Sequence, residues 1–229
     1  QFFKGSKPER MENATYPSSY SYKYPKAGEE NSRVSAWSFD IKSRRTQQLN
    51  IPLAEDGYMP RILSTEDPDK IVIFTMNRHQ DVLNLYSVNP RSTVSKLLIK
   101  ESVPKYVKEE TLDNIRLDKD YILLPSDRDG FMHLYLYSGT GTLKRKIGDG
   151  KFDITNVYGV DEKTGDVYYQ AAALNAHDRQ IYVSHTNGKT ERLTNQEGWN
   201  TAIFSGDYQY FINTWSDYNT PYVYTTRKN

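Results

Sequence analysis

Short apolar runs alternate with polar turns along most of the chain, and this spacing is typical of β-strands. The first run is RVSAWSFDI at residues 33–41, and the next is DKIVIFTMN at 69–77. DVLNLYSVN at 81–89 follows the second run after a few polar residues, so the two predict a hairpin. RSTVSKLLIKE at 91–101 predicts the next strand. Long stretches with the period of an α-helix are hard to find, so the pattern favours a β fold.

The order of strand, polar turn and aromatic strand recurs at a regular distance. The aromatic strands align on Tyr86, Tyr135, Tyr182 and Tyr224, which are 49, 47 and 42 residues apart. The strands before them align on Asp120, Asp166 and Asp207, at spacings of 46 and 41 residues. A four-stranded unit that repeats at roughly 40 to 50 residues is the mark of a β-propeller blade. A β-sandwich is the structural alternative, but it gives no reason for a repeat at this period.

The repeat predicts an all-β fold that forms part of a β-propeller, with about four to five four-stranded blades. All 229 residues are assigned to one propeller domain. Its predicted parts are a lead-in and extended arm (1–28), a partial blade (29–55), three blades (56–104, 105–150 and 151–197) and a truncated blade (198–229). Open propellers leave exposed sheet edges, and closed ones usually have more blades than this. We therefore expect the chain to be a piece of a longer protein.

Residues 9–28, ERMENATYPSSYSYKYPKAG, do not fit the blade pattern, because they contain two prolines and no alternating aliphatic residues. Tyr20, Tyr22 and Tyr24 are spaced two residues apart, which in an extended strand places them on one face. Together with Tyr16 they are compatible with two interpretations. One is a surface loop with a few exposed rings, and the other is an arm that binds a partner protein.

Charge and composition exclude several classes of function. Lysine plus arginine total 30 and aspartate plus glutamate total 29, so the formal net charge of +1 predicts no strong attraction to nucleic acid or to an anionic membrane. The chain has no apolar run of about 18 residues, so no segment is predicted to span a bilayer. Cysteine is absent, which excludes disulfides, thiolate zinc sites and thiol catalysis. The 19 tyrosines favour strands.

No catalytic or metal-binding motif can be assembled from the sequence. The serine-hydrolase elbow G-x-S-x-G and the P-loop are both missing. SDRDGF at 126–131 resembles the start of a calcium loop but lacks the third ligand and the distant glutamate, so a polar turn is favoured. His133, within a predicted strand, is interpreted as a packed or capped ring. Glu109-Glu110 precedes a strand in a polar stretch and predicts a solvated face. We predict no catalytic residue, metal or cofactor in this segment.

Two stretches resemble a known family of peptidases. The first is the run Tyr24, Pro25, Lys26, Ala27, Gly28, followed by Asn31 and Val34. The second carries Gly130, His133, Leu134, Tyr135, Gly150, Phe152, Asp153, Asp161, Gly165 and Tyr168 in order. With RQIYVSHTNGKTERLT further on, nearly the whole chain resembles the dipeptidyl peptidase IV subfamily of prolyl oligopeptidase-type serine peptidases.

The resemblance implies a role for the chain. Members have an N-terminal eight-bladed propeller and a C-terminal α/β-hydrolase domain that holds the Ser, Asp and His triad. They release N-terminal dipeptides with proline or alanine second. This chain is then a non-catalytic propeller region that acts as scaffold, gates peptide substrates and helps a homodimer to form. The alternative is a propeller that binds peptides or a partner protein without any hydrolase activity. A periplasmic or extracellular location is expected.

The resemblance also bears on single residues. An extension of the fourth blade helps to build the homodimer in this family, which favours Tyr16, Tyr20, Tyr22 and Tyr24 as dimerisation residues. A pair of glutamates binds the α-amine of the substrate in these enzymes, but it precedes the Tyr-Pro-Lys-Ala-Gly run and is expected to lie before Gln1. Glu29-Glu30 is therefore interpreted as a solvated turn that leads into the strand at 33–41.

Overall fold

The computed structural model describes residues 9–11, 16, 19–22, 26 and 28–229, and its regular structure is almost entirely β. The fold prediction is confirmed, since several four-stranded antiparallel sheets follow one another as in part of a β-propeller. The chain divides into two compact units, unit 1 at Gln1–Glu101 and unit 2 at Ser102–Asn229. Each unit is described by itself.

Unit 1 contains three sheets of antiparallel strands. Strands β1 (Glu9–Met11) and β2 (Ser19–Ser21) pair as a short ribbon in which Arg10 is opposite Tyr20. The second sheet consists of β3 (Trp37–Asp40) and β4 (Arg45–Gln48). The third, in sequence order, consists of β5 (Tyr58–Ser64), β6 (Ile71–Met76), β7 (Val82–Val88) and β8 (Ser95–Ser102).

Unit 2 begins with helix α1 (Glu109–Asn114) and contains three further sheets, all in sequence order. The first sheet has β9 (Arg116–Leu117), β10 (Tyr121–Ser126), β11 (His133–Ser138) and β12 (Leu143–Ile147). The second has β13 (Ile154–Val160), β14 (Val167–Ala171), β15 (Gln180–Ser184) and β16 (Thr190–Arg192). The third has β17 (Trp199–Phe204), β18 (Tyr210–Ser216) and β19 (Val223–Lys228).

The middle strands of the sheets are the most apolar and the most buried. In unit 2, Leu134 of β11, Val157 of β13 and Tyr169 of β14 belong to one core cluster between neighbouring sheets. A smaller cluster joins Ile181 of β15 to Phe211 of β18. Because the sheet β13–β16 buries one face in the first of these clusters and the other face in the second, its middle strands are apolar on both faces, as the unbroken apolar runs predicted.

Two local features differ from the sequence prediction. The strand expected at 33–41 is shorter, since regular pairing begins at Trp37 and ends at Asp40, where the Asp40 carboxylate accepts a bond from the Ser43 N–H at 2.6 Å. Helix α1 was not predicted. It has only six residues, too few for an amphipathic period to be visible, but Glu109 and Glu110 in its first turn favour it through the helix dipole.

Candidate functional site

The topology brings two kinds of connection to the same end of each sheet. In a sheet of four antiparallel strands in sequence order, the turn between the second and third strands lies at the end where the first strand begins. The connection from the preceding sheet arrives at that same end. We call this end the loop rim, and it is treated separately in each unit.

In unit 2 the loop rim consists of the connections 103–115, 148–153 and 193–198 and the turns 127–132, 172–179 and 217–222. Hydrogen bonds join neighbouring parts of it. The Met132 N–H donates to the Asp153 carboxylate at 2.7 Å, and the Ala172 N–H donates to the Asp153 carbonyl at 3.0 Å. The loops of consecutive sheets therefore form one continuous rim in this unit, and long loops on a rigid scaffold are where binding residues concentrate.

The turn that resembled a calcium loop uses its acidic side chains within the protein. The Asp129 carboxylate accepts hydrogen bonds from Lys146 Nζ at 2.6 Å and from the Tyr135 hydroxyl at 2.5 Å. The bond from Lys146, and then that from Tyr135, lower the pKa of Asp129. Arg128 lies over the Tyr135 ring, 4.0 Å from its centroid, and Asp127 pairs with Lys108 at 3.4 Å. The charged side chains of this turn therefore pair with one another's neighbours and with the Tyr135 ring, as in a polar turn.

His133 and Tyr135, which belong to the family motif, both lie in β11. The His133 ring is buried, packs edge-on against Phe152 at 5.8 Å, and lies so close to Gly148 that an added Cβ would be 2.6 Å from it. Burial, and then the charge of Lys146, lower the pKa of His133. This shift favours the neutral form of the ring, while Tyr135 connects the strand to the rim through Asp129.

An open cleft of about 760 Å³ lies at the end of the loop rim of unit 2, and we call it the aromatic cleft. It is lined by residues of three loops, the start of β17 and the end of β18: His177, Asp178, Glu197, Gly198, Trp199, Ser216, Asp217, Tyr218 and Tyr222. Three of its rings are largely exposed, at 45% for Trp199, 100% for Tyr218 and 69% for Tyr222. Sequence reasoning did not select this site, although the loop SDYNTPY is unusually aromatic.

A groove of about 780 Å³ also lies in unit 2, beside β12 and the hairpin at 184–190. Arg145 lines it together with Lys146 and Asp149, and the Arg145 guanidinium donates to the His185 carbonyl at 2.6 Å and to the Gly165 carbonyl at 2.9 Å. Because these bonds join β12 to the next sheet, the arginine holds the sheets together. The aromatic cleft is the better candidate for binding, since its rings and carboxylates face solvent.

The predicted acidic turn lies in unit 1. The Glu29 N–H donates to the Lys26 carbonyl at 3.0 Å, and the Glu29 carboxylate accepts from the Lys26 N–H at 2.9 Å. Gly28 between them has φ +88°, which suits glycine. Glu30 is exposed and lines a shallow cleft with Arg33, whose guanidinium pairs with a carboxylate of the same cleft. The Glu29 carboxylate therefore forms a hydrogen bond within the turn, as expected of a solvated turn.

The predicted arm is only partly within the described residues. Tyr16 is 90% exposed, and Tyr22 is 41% exposed beyond the end of β2. Tyr20 lies in β2, in the ribbon with β1. Tyr24, Pro25 and Ala27 lie outside the described residues, so their predicted roles stay predictions.

Among the described residues, no group of three or more His, Asp or Glu side chains could hold a metal ion. No helix in this part of the chain has the length and apolar character needed to cross a membrane.

Comparison with known proteins shows which family and which relatives the chain is similar to. Residues 5–222 match the family described as dipeptidyl peptidase IV (DPP IV) N-terminal region. Dipeptidyl peptidase 4 of Trichophyton rubrum is 24% identical over 227 residues, and the probable dipeptidyl peptidase 4 of Aspergillus flavus is 25% identical over 231 residues. These alignments cover 93% and 92% of this chain, but the chain spans only 29% of the length of either relative.

Solved structures give the same result at the level of the fold. The crystal structure of Porphyromonas gingivalis dipeptidyl peptidase 4 is 37% identical, with a TM-score of 0.87 over 97% of this chain and 32% of that one. A putative dipeptidyl aminopeptidase IV from Bacteroides ovatus has a TM-score of 0.77 over 98% of this chain and 35% of that one. At 19% identity, this second likeness concerns the fold alone.

Proposed function

Since the chain belongs to the family of dipeptidyl peptidase IV N-terminal regions, we propose that it is the non-catalytic propeller region of a serine exopeptidase. The full-length enzyme would release X-Pro and X-Ala dipeptides from peptide N-termini, with its triad outside this chain. The observation that carries the proposal is the likeness to the Porphyromonas gingivalis peptidase, which extends over 97% of the chain at 37% identity. A periplasmic or extracellular location is part of the same proposal.

In this proposal the loop rims gate the substrate. The stacked sheets form a rigid scaffold, and the rim of unit 2 carries charged side chains such as Asp127, Arg128 and Asp178 on loops fixed by hydrogen bonds. A rim of this kind would face the catalytic domain and narrow the entrance to it. Selection for a free amine would come from carboxylates outside this chain, because an ammonium bound by carboxylates rejects chain interiors.

Activity of the full-length protein tests the proposal directly. We expect it to hydrolyse a Gly-Pro amide and to leave the same substrate intact when its amine is acetylated. The 229-residue chain alone should give no turnover above background after repurification. A full-length protein that is folded but inactive on X-Pro and X-Ala amides would favour the alternative, a propeller that binds peptides or a partner protein.

The dimerisation role rests on the exposed tyrosines of the arm. Tyr16 and Tyr22 expose large aromatic side chains next to the ribbon of β1 and β2, and exposed aromatic residues are enriched at interfaces. Replacing residues 9–21 by a short glycine-serine linker should convert a dimer of the full-length protein into a monomer in sedimentation velocity. Val94→Ser, which removes another exposed apolar side chain of unit 1, is the control and should leave the dimer intact. A dimer that survives loss of the arm would contradict this role.

A further inference from the structure

Lysine and arginine are unevenly distributed over the four-stranded sheets. The middle strands β6, β7, β10, β11, β14 and β15 contain neither residue. The last strand of each of these sheets is basic, with Lys96 and Lys100 in β8, Lys144, Arg145 and Lys146 in β12, and Arg192 in β16. Acids on these last strands are limited to Glu101, which is buried, and Glu191, which pairs with Lys189 at 3.8 Å. The whole chain has a formal net charge of only +1, so this pattern reflects placement and not composition.

The basic strands lie at open edges of their sheets. Within the described part of the chain, β8 pairs with β7 alone and β12 with β11 alone, so one side of each strand has backbone N–H and C=O groups without a strand partner. β16 has only three residues and offers few such groups, whereas β8 has eight, and Leu97 on it is 45% exposed. A long open edge with apolar side chains is a template to which the edge strand of another molecule can pair.

The spacing of the lysines in β8 opposes a pairing of this strand with itself. In an antiparallel pair of two β8 strands centred on Leu98, Lys96 of one copy lies directly opposite Lys100 of the other, and the symmetry repeats the contact. Like charges directly opposite each other destabilise a strand pair. Both lysines are exposed, and neither forms an ion pair with a described residue, so their charges are not compensated within this part of the chain.

The same spacing occurs in β12, where a pair centred on Arg145 places Lys144 opposite Lys146 of the second copy. The shared sign of the two strands has a further effect. A basic β8 and an acidic β12 of another copy would attract each other, whereas two basic edges repel in every combination. Edges of one sign therefore oppose pairing between different sheets as well as between identical ones.

We propose that Lys96 and Lys100 of β8, with Lys144 and Lys146 of β12, prevent these open edges from pairing with the edge strands of a second copy of the protein. The proposal is independent of the peptidase activity, since it concerns only the association of folded molecules. β8 gives the cleaner test, because Lys146 also donates to the Asp129 carboxylate at 2.6 Å and its replacement would disturb that turn.

Sedimentation velocity of the full-length protein tests the proposal with two double variants of β8. Lys96→Thr with Lys100→Thr removes both charges and introduces residues that favour strands. We expect this variant to form species larger than those of the wild type, with self-association stronger by about tenfold. Lys96→Glu with Lys100→Glu restores like charges of the opposite sign, so this variant should sediment as the wild type does.

A mixture of the glutamate variant with the wild type tests the sign of the charges. Glutamate of one molecule would then oppose lysine of the other, so mixed species should form although neither protein forms them alone. These species should weaken at 1 M salt, where the screening length is about 3 Å. A mixture that shows no mixed species would overturn the proposal.

Lys151→Thr with Lys163→Thr is the matched control. Both lysines are exposed in loops of unit 2, so the replacement changes the net charge by the same amount without altering an edge strand. It should leave sedimentation unchanged, and thermal unfolding should show that all variants are folded. A threonine variant of β8 that forms no larger species, or a glutamate variant that associates as strongly as the threonine variant, would contradict a role of like-charge repulsion at this edge.

Discussion

Gly159 offers a sharp test of how unit 2 is packed. It lies in β13 with φ +148°, and a Cβ added there would overlap the hydroxyl of Tyr208 and lie 3.2 Å from its Cζ. The Tyr208 ring stacks on Tyr168 of the neighbouring sheet, with centroids 4.6 Å apart and planes 12° from parallel. Gly159→Ala should therefore push the Tyr208 ring out of this stack.

The magnitude follows from two contributions. An alanine held at an unfavourable positive φ costs roughly 1–2 kcal/mol. Disruption of a stacked aromatic pair costs a further ~0.5–1.5 kcal/mol. The sum predicts a loss of about 1.5–3.5 kcal/mol in the free energy of unfolding. For a domain of this size, such a loss lowers the melting temperature by about 3–14 °C.

Thermal and urea unfolding of the full-length protein, followed by circular dichroism, measures this loss. Gly188→Ala is the matched control, because Gly188 also has a positive φ, +86°, but a Cβ there would meet no atom within 4 Å. That variant should lose only the backbone contribution. Tyr208→Phe removes the overlapping hydroxyl, so Gly159→Ala should cost about 1 kcal/mol less in that background. Equal losses for Gly159→Ala and Gly188→Ala, or no relief by Tyr208→Phe, would refute the reasoning.

Three further outcomes can be measured on the same protein. The Tyr158 hydroxyl accepts a hydrogen bond from the Ala202 N–H at 3.0 Å, and burial raises the pKa of Tyr158 to about 12. Tyr158→Phe should therefore lower the free energy of unfolding in urea by about 1–3 kcal/mol, and unchanged stability would contradict this. Because burial lowers the pKa of His133 below its ordinary 6.5, the unfolded chain binds the proton more readily, and stability should fall as the pH drops below about 6.5. His133→Leu should flatten that dependence, and an unchanged slope would assign it to other groups. Joint Glu29→Gln and Glu30→Gln replacement should leave kcat/KM for a Gly-Pro amide within a few-fold; a loss of several orders of magnitude would mean that this pair binds the substrate amine.

The fold could be predicted because the apolar runs that form the middle strands of each sheet are repeated along the chain. Each sheet needs middle strands that are apolar on both faces, so runs such as Ile71–Met76 and Tyr121–Ser126 return at a steady distance. Rings on paired strands of one sheet also pack on each other, as Tyr169 of β14 and Tyr182 of β15 do, with centroids 5.7 Å apart. A repeat of this kind remains visible despite local irregularities. Because the turns are short, strands that are consecutive in sequence pair with each other, which gives the strand order.

The candidate site could not be predicted in the same way. Asp178, Glu197 and Tyr218 are separated by about twenty residues each and meet only because three loops reach the same rim. None of them belongs to a motif, so the sequence alone gives no reason to group them. Helix α1 was missed for a different reason, since Glu109 and Glu110 in a polar stretch fit a solvated loop as well as the first turn of a short helix.

The separation between core and rim has a mechanistic consequence. In unit 2 the sheets are held together by the buried Phe211 and by the partly buried Tyr158 and Arg145, all of which bridge neighbouring sheets. The rim groups Glu197 and Tyr218 instead face solvent and contribute little to that packing. Since stacked sheets form a stiff scaffold, a core substitution should lower stability while the surviving folded fraction keeps its rim geometry. A substitution of an exposed rim residue should leave stability unchanged. Core variants should therefore shift the melting temperature with little change in kcat/KM per folded molecule, whereas Glu197→Lys should leave the melting temperature of the propeller unchanged.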